Sequence, residues 1–172
     1  DLGFRRCGLL YLSNDQAELD GWAQWGRFAR GEGVDTRMLD SAEASARGAA
    51  TGQAWAGGVW SPTDGIADPS RAAPLIAQGA IKHGATVVQN CAQVVLSGGA
   101  WAGSFLHQSG IFFPQASVRS SILSLEPVPR DLPDALHTAA ASVTRRSDGG
   151  YTVAVSGRSH FDPTLRMIAG AK

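Results

Sequence analysis

The feature that most constrains the fold of this sequence is a short apolar run that stops at two adjacent glycines. Residues 93–96 are mostly large aliphatic or β-branched, and Gly98-Gly99-Ala100-Trp101 follows one residue later. β-Branched residues favour strands, whereas adjacent glycines let the backbone turn sharply and come close to a bulky ligand. We therefore predict a strand over 93–96, a helix over about 101–108, and a ligand against the glycine pair.

Strand and helix signals alternate along the first half of the chain. An apolar run over 7–12 predicts a strand, and a capping box that begins at Ser13 predicts a helix to about Arg30. Asp40 has the position of an N-cap for a short helix. Asp68 before Pro69 predicts the start of a longer helix over 69–83, which Gly84 ends. This alternation indicates an α/β fold.

The second half of the chain is richer in strand signals. A long strand is predicted over about 116–126, and the turn residues at 147–150 predict a β-hairpin. The 172 residues include 44% hydrophobic residues, which is enough for one well-cored domain. The fold class predicted from these patterns is a mixed α/β protein, with a mixed sheet and flanking helices.

Charge and cysteine content exclude several functional classes. Basic and acidic residues both total 15, so the chain has no excess positive charge for binding nucleic acid. No stretch of eighteen apolar residues predicts an integral membrane segment. The two cysteines, Cys7 and Cys91, are far apart and favour a reducing, cytoplasmic location. The N-terminus has neither a signal peptide nor an initiator Met, so we expect the 172 residues to be part of a longer protein.

Two kinds of catalytic site find no support in the sequence. The four histidines are scattered, and no two have the spacing of metal ligands. The Gly-x-Ser-x-Gly turn of serine hydrolases is also absent. We therefore predict neither a metal site nor a serine hydrolase.

Three ordered motifs together resemble the FAD-dependent amine and amino-acid oxidoreductases, the family of D-amino-acid oxidase, glycine oxidase and sarcosine oxidase. They are a Ser-Pro-x-Asp-Gly turn at 61–65 followed by Asp-Pro-x-Arg at 68–71, a Gly-Ala-Trp at 99–101, and an Arg-x-Asp-Gly turn at 146–149. The resemblance covers roughly residues 3–157. It implies hydride transfer from an amine or amino acid to FAD, followed by hydrolysis of the imine.

The resemblance also implies roles for particular residues. The backbone of Gly98, Gly99 and Ala100 and the indole of Trp101 would lie near the flavin, and the alternative for Trp101 is that it caps the core. Arg146, with Arg145 beside it, would hold the substrate carboxylate, because a guanidinium fork matches a planar carboxylate. The alternative is that either arginine is a solvated residue at the end of a strand, beside Asp148.

The sequence departs from the family pattern in the segment that would bind the pyrophosphate of FAD. No Gly-x-Gly-x-x-Gly loop is present to hold the pyrophosphate at a helix N-terminus. We accordingly divide the chain into the first half of a substrate domain (1–57), a remnant of an FAD domain (58–113) and the second half of the substrate domain (114–172). The isolated chain is not expected to bind FAD tightly.

Two functional hypotheses remain at this stage. The first is an FAD-dependent oxidoreductase of a small-molecule amine or amino acid, of which this chain is a part. The second is a non-catalytic substrate-domain fragment that acts as a binding or assembly module. In both cases we expect a homo-oligomer, or a partner chain that supplies the missing FAD domain.

Overall fold

A computed structural model describes residues 3–86, 95–115, 118–128, 132–155 and 160–161. The helices are α1 (Gln16–Gly31), α2 (Ser41–Arg47), α3 (Pro69–Lys82) and α4 (Ala102–Gln108), with 3₁₀ turns at Ala49–Thr51 and Gly99–Trp101. The strands are β1 (Arg5–Arg6), β2 (Leu9–Ser13), β3 (Arg37–Leu39), β4 (Gly57–Ser61), β5 (Gly65–Ile66), β6 (Val118–Arg119), β7 (Ile122–Leu125), β8 (Ala135–His137), β9 (Ala141–Arg145), β10 (Tyr151–Val155) and β11 (His160–Phe161).

Seven of the strands form one mixed sheet in the order β3-β4-β2-β8-β9-β10-β7. β2 pairs with β8 in parallel, and the other neighbours in this sheet pair antiparallel. Two short ladders complete the described strands, one between β1 and β5 and one between β6 and β11. The mixed α/β class predicted from the sequence is confirmed.

The core lies between one face of this sheet and α2. Leu10 and Leu12 of β2 are at most 1% exposed, and Leu136 of β8 is the register partner of Leu10. Leu39 and Trp55 belong to the same apolar cluster. Because side chains alternate along a strand, the opposite face carries Tyr11, which packs edge-on against Trp22 of α1.

The beginnings of the helices follow the predicted capping logic in two cases and depart from it in one. Asp40 accepts a hydrogen bond from the Glu43 N–H at the start of α2, and Asp68 accepts one from the Ser70 N–H at the start of α3. The prediction that Ser13 caps α1 is wrong. Asp15 is the N-cap, and the Ser13 hydroxyl accepts from the Asp15 N–H because Ser13 is still the last residue of β2.

Two strand predictions need correction. The strand predicted over 116–126 is two strands, since β6 pairs with β11 whereas β7 pairs with β10. Of the strand predicted over 93–96, residues 93 and 94 lie outside the described residues, and residues 95–98 are irregular. The helix predicted over 69–83 is present as α3, but within the described part of the chain none of its side chains is fully buried.

The three-part domain division stays a prediction. β4, which begins at the proposed boundary of 57 and 58, lies between β3 and β2 in the main sheet. The middle segment therefore shares hydrogen bonds with the first segment. The hairpin of β9 and β10 in the third segment joins the same sheet through β8.

Candidate functional site

A cavity of about 510 Å³ brings the two predicted substrate arginines together with the start of α3. Its wall comes from the β1–β5 ladder, the N-terminus of α3 and the turn between β9 and β10. The residues that line it are Gly3, Arg5, Ile66, Ala67, Asp68, Pro69, Thr144, Arg145, Arg146, Ser147, Asp148 and Thr152. Its volume suits a small-molecule ligand.

Arg145 and Arg5 share one carboxylate at the edge of this cavity. The Arg145 guanidinium lies 3.5 Å from Asp134 Oδ1, and the Arg5 guanidinium contacts Asp134 Oδ2. Arg5 also donates a hydrogen bond of 3.3 Å to the carbonyl oxygen of Arg145. Arg145 lies over the ring of Tyr151, with 5.8 Å between the guanidinium carbon and the ring centroid. Residues far apart in the sequence thus form one cluster.

Arg146 is engaged differently, because its guanidinium is bonded within its own hairpin and to the neighbouring strand. Two of its nitrogens donate to Asp148 Oδ2 at 3.0 and 3.2 Å. It also donates to the carbonyl oxygens of Tyr151 at 2.7 Å and Leu125 at 3.1 Å. The turn is closed by two backbone hydrogen bonds, from the Arg146 N–H to the Gly150 carbonyl oxygen and from the Gly149 N–H to the Arg146 carbonyl oxygen. Arg146 therefore fastens the β9–β10 hairpin to β7.

Two carboxylates on the cavity wall are held in the ionised form. The hydrogen bond from Arg146 lowers the pKa of Asp148 below its ordinary value, and the Gly150 N–H adds to this effect. The hydrogen bond from the Ser70 hydroxyl lowers the pKa of Asp68, with a second contribution from the Ser70 N–H. The cavity therefore presents both charge signs at neutral pH.

The four residues predicted to lie near the cofactor form an exposed turn. Gly99 has a φ of +51°, and a Cβ there would meet open space. The side chain of Gln115 stabilises the turn with two hydrogen bonds. It donates to the Gly99 carbonyl oxygen at 2.7 Å and accepts from the Gly103 N–H at 2.8 Å. Trp101 is 72% exposed, so it does not pack on the core. One side of this turn is open to a ligand.

The structure does not bring the two predicted groups into one cavity. The arginines line the cavity described above, whereas Gly98, Gly99, Ala100 and Trp101 do not. A second cavity, of about 590 Å³, lies at the start of α1 and is lined by Asp15, Gln53 and Trp55 among others. Its charged lining residue, Asp15, already caps α1, so this cavity offers less for recognition of a charged substrate.

The match to a family model decides the affiliation of the chain. Residues 1–169 match the model described as FAD dependent oxidoreductase. This chain belongs to the FAD-dependent oxidoreductase family. The resemblance noted in the sequence is thereby confirmed, and with it the FAD dependence of the family. No curated protein sequence matches the chain.

Solved structures agree on the fold of this family member. L-amino acid deaminase from Proteus myxofaciens, solved in complex with anthranilate, aligns with a TM-score of 0.73 at 22% identity, covering 90% of this chain and 41% of that one. Glycine oxidase from Geobacillus kaustophilus gives 0.73 at 18% identity, covering 98% and 53%. L-proline dehydrogenase from P. horikoshii gives 0.71 at 18%, covering 98% and 54%. The chain thus spans about half the length of these proteins.

The residues of this chain fit FAD in part. The open side of the Gly99 turn and the exposed indole of Trp101 are both accessible to a ring system. The sequence contains no Gly-x-Gly-x-x-Gly loop of the kind that binds a dinucleotide pyrophosphate. Within the described residues, no group of three His, Cys, Asp or Glu side chains could hold a metal ion, and no helix is long and apolar enough to cross a membrane.

Sequence reasoning missed two residues of the site, Arg5 and Asp134. Each is an ordinary charged residue with no motif around it. Arg5 reaches the cavity because β1 pairs with β5 immediately before α3. Asp134, which directly precedes β8, contacts Arg5 and Arg145 without lining the cavity itself. The Asp-Pro motif at the start of α3 indicated that a strand such as β5 could precede the helix. No residue near β5 in the sequence indicated that β1 would be its partner.

Proposed function

We propose that this chain supplies the substrate-recognition part of an FAD-dependent oxidoreductase that oxidises an amino acid, or an amine that carries a carboxylate. The observation behind this proposal is the cavity of about 510 Å³, whose wall carries three arginines and two carboxylates. Such a lining suits a zwitterion better than a simple amine, because each end of the ligand finds a group of opposite charge.

The chain's own residues would act by binding and orientation. A guanidinium fork fixes a planar carboxylate in one orientation, which in turn fixes the substrate Cα–H bond relative to the rest of the enzyme. The ionised Asp68 and Asp148 would attract the ammonium end. FAD, when bound, supplies the two-electron acceptor for that Cα–H bond. Gly98, Gly99, Ala100 and Trp101 would hold one face of its ring system.

The visible absorption spectrum of the purified full-length parent protein tests this proposal. Flavin bands that bleach when an amino acid is added without oxygen would support an amino-acid oxidoreductase. A parent protein that is colourless and does not take up added FAD would refute it. That outcome would favour the second hypothesis, a non-catalytic binding module, which the absence of the phosphate-binding loop from these 172 residues supports.

A matched pair of tryptophan variants tests the proposed flavin surface. Trp101 and Trp25 are 72% and 50% exposed, so neither Trp101→Ala nor Trp25→Ala should change the free energy of unfolding by more than about 0.5 kcal/mol. In the full-length protein, Trp101→Ala should weaken FAD binding at least several-fold, whereas Trp25→Ala should not. Equal FAD affinities in the two variants would place the flavin elsewhere.

Assembly and location are further proposals. Ile76 and Ile81 of α3 remain more than half exposed, which supports self-association or a partner chain that supplies the missing FAD domain. Light scattering on the 172-residue chain tests this, and a monomer at all concentrations would refute it. A cytoplasmic location, proposed from the two separated cysteines, is tested by cell fractionation.

A further inference from the structure

The three arginines that line the substrate cavity differ in what already holds them. Arg146 donates four hydrogen bonds, to Asp148, Tyr151 and Leu125. A Cβ at Gly150 would lie 2.4 Å from an Arg146 nitrogen, so the backbone is shaped around this guanidinium. A carboxylate ligand could reach Arg146 only by displacing bonds that hold the hairpin to β7. Arg146 is therefore a structural clamp.

Arg5 and Arg145 have a different arrangement. Among the described residues, their two guanidinium groups share the single carboxylate of Asp134, which leaves one uncompensated positive charge. Their side chains are 42% and 39% exposed, while that of Asp134 is 22% exposed. Asp134 is not among the residues that line the cavity, whereas both arginines are. Both arginines thus line the cavity, while the carboxylate that they share does not.

Two threonine residues also line this cavity. Thr144 of β9 and Thr152 of β10 are register partners, so their side chains project from the same face of the sheet, and both line the cavity. Hydroxyls can donate hydrogen bonds to a carboxylate oxygen that a guanidinium already holds. Arg145, the next residue after Thr144, projects from the other face of the sheet, so the cavity is lined by cationic and neutral donors that come from both faces.

We propose that Arg5 and Arg145, positioned by Asp134, bind the substrate carboxylate, and that Arg146 instead holds the hairpin on which Arg145 lies. This inference rests on the proposed function and names the residues that would perform its recognition step. It assigns a binding role to Arg5, which is 140 residues from Arg145 in the sequence. Asp134 is a positioning residue, since it acts through the two arginines.

Carboxylate binding by the 172-residue chain tests this assignment without FAD. Propionate and its neutral analogue propionamide serve as probes, and the Nε–H signals of the arginine side chains in ¹H–¹⁵N NMR spectra serve as the readout. Propionate should shift the signals of Arg5 and Arg145 saturably, and propionamide should not. Arg5→Gln should weaken propionate binding about tenfold or more, because the hydrogen bond from the charged Arg5 guanidinium to the propionate carboxylate is lost.

Two conservative variants separate recognition from folding. Arg5→Lys keeps the positive charge beside Asp134 but removes the fork, so it should also weaken propionate binding while preserving the dispersed spectrum of a folded chain. Arg146→Lys should leave propionate affinity within about twofold, with changes confined to signals of β7, β9 and β10.

The assignment is overturned if Arg146→Lys lowers propionate affinity while Arg5→Lys does not, or if propionate shifts no arginine signal. Neither outcome depends on whether the parent protein carries flavin. Failure of this inference is therefore distinguishable from failure of the proposed function, which the absorption spectrum decides separately.

Discussion

Replacing Gly8 with alanine should destabilise the protein far more than the same change at Gly33. Both glycines have a positive φ, of +73° and +78°, so alanine carries a similar backbone strain at either position, about 1–2 kcal/mol. They differ in their surroundings. A Cβ at Gly8 would lie 1.9 Å from a ring carbon of Trp60, whereas a Cβ at Gly33 would meet nothing within 4 Å.

The size of the destabilisation by Gly8→Ala depends on the Trp60 ring, which must move away from the new Cβ. Trp60 packs against the core cluster, and Arg47 lies over its ring with 4.7 Å between the guanidinium carbon and the ring centroid. Forcing a ring aside in a packed site typically costs about 1–3 kcal/mol. Gly8→Ala should therefore reduce the free energy of unfolding by about 2–5 kcal/mol, and Gly33→Ala by about 1–2 kcal/mol.

Equilibrium urea denaturation of the two variants, followed by far-ultraviolet circular dichroism, measures this difference. The gain from a less flexible unfolded chain is the same in both variants and cancels. The Trp60 indole N–H signal in an NMR spectrum should shift in Gly8→Ala alone. If the two variants unfold within about 0.5 kcal/mol of each other, the close approach of Gly8 to Trp60 is refuted.

Three further predictions concern the core, the helix caps and the hairpin. Leu12 is fully buried, so Leu12→Ala should reduce the free energy of unfolding in urea by about 2–5 kcal/mol. Asp40→Ala removes the acceptor for the Glu43 N–H and should reduce the free energy of unfolding by about 1 kcal/mol in the same assay. Asp68→Ala should lower the helical circular dichroism with little effect on the urea midpoint, because α3 has no fully buried side chain in the described structure. The hydrogen bond from Arg146 lowers the pKa of Asp148 in the folded state, so ionised Asp148 stabilises the hairpin fully at neutral pH. This stabilisation is lost as the pH falls from about 4, the ordinary pKa of an aspartate, through the lowered pKa of the folded state. The Arg146 Nε–H signal should follow this titration, and Asp148→Asn should abolish it; an unchanged titration in that variant would contradict the pairing.

Local chemistry made several elements predictable. The caps of α2 and α3 and the turn before β10 depend on hydrogen bonds between residues two to four positions apart, so the sequence contains both partners side by side. The capping prediction failed at Ser13 for a physical reason. Ser13 and Asp15 both carry suitable oxygens, and pairing of Ser13 with Gly57 in β4 extends β2 by one residue.

The sequence alone determined the family, the α/β class and the hairpin that carries Arg145 and Arg146, because each follows from an ordered motif or from periodicity. Only the tertiary structure showed that Arg146 is bonded to its own hairpin and to β7, whereas Arg145 shares the Asp134 carboxylate with Arg5. That distinction depends on Asp134, Leu125 and Arg5, which are brought together by strand pairings across 11 to 140 residues. Packing of the whole sheet sets which residues pair across two strands, so the neighbouring residues in the sequence do not predict this pairing.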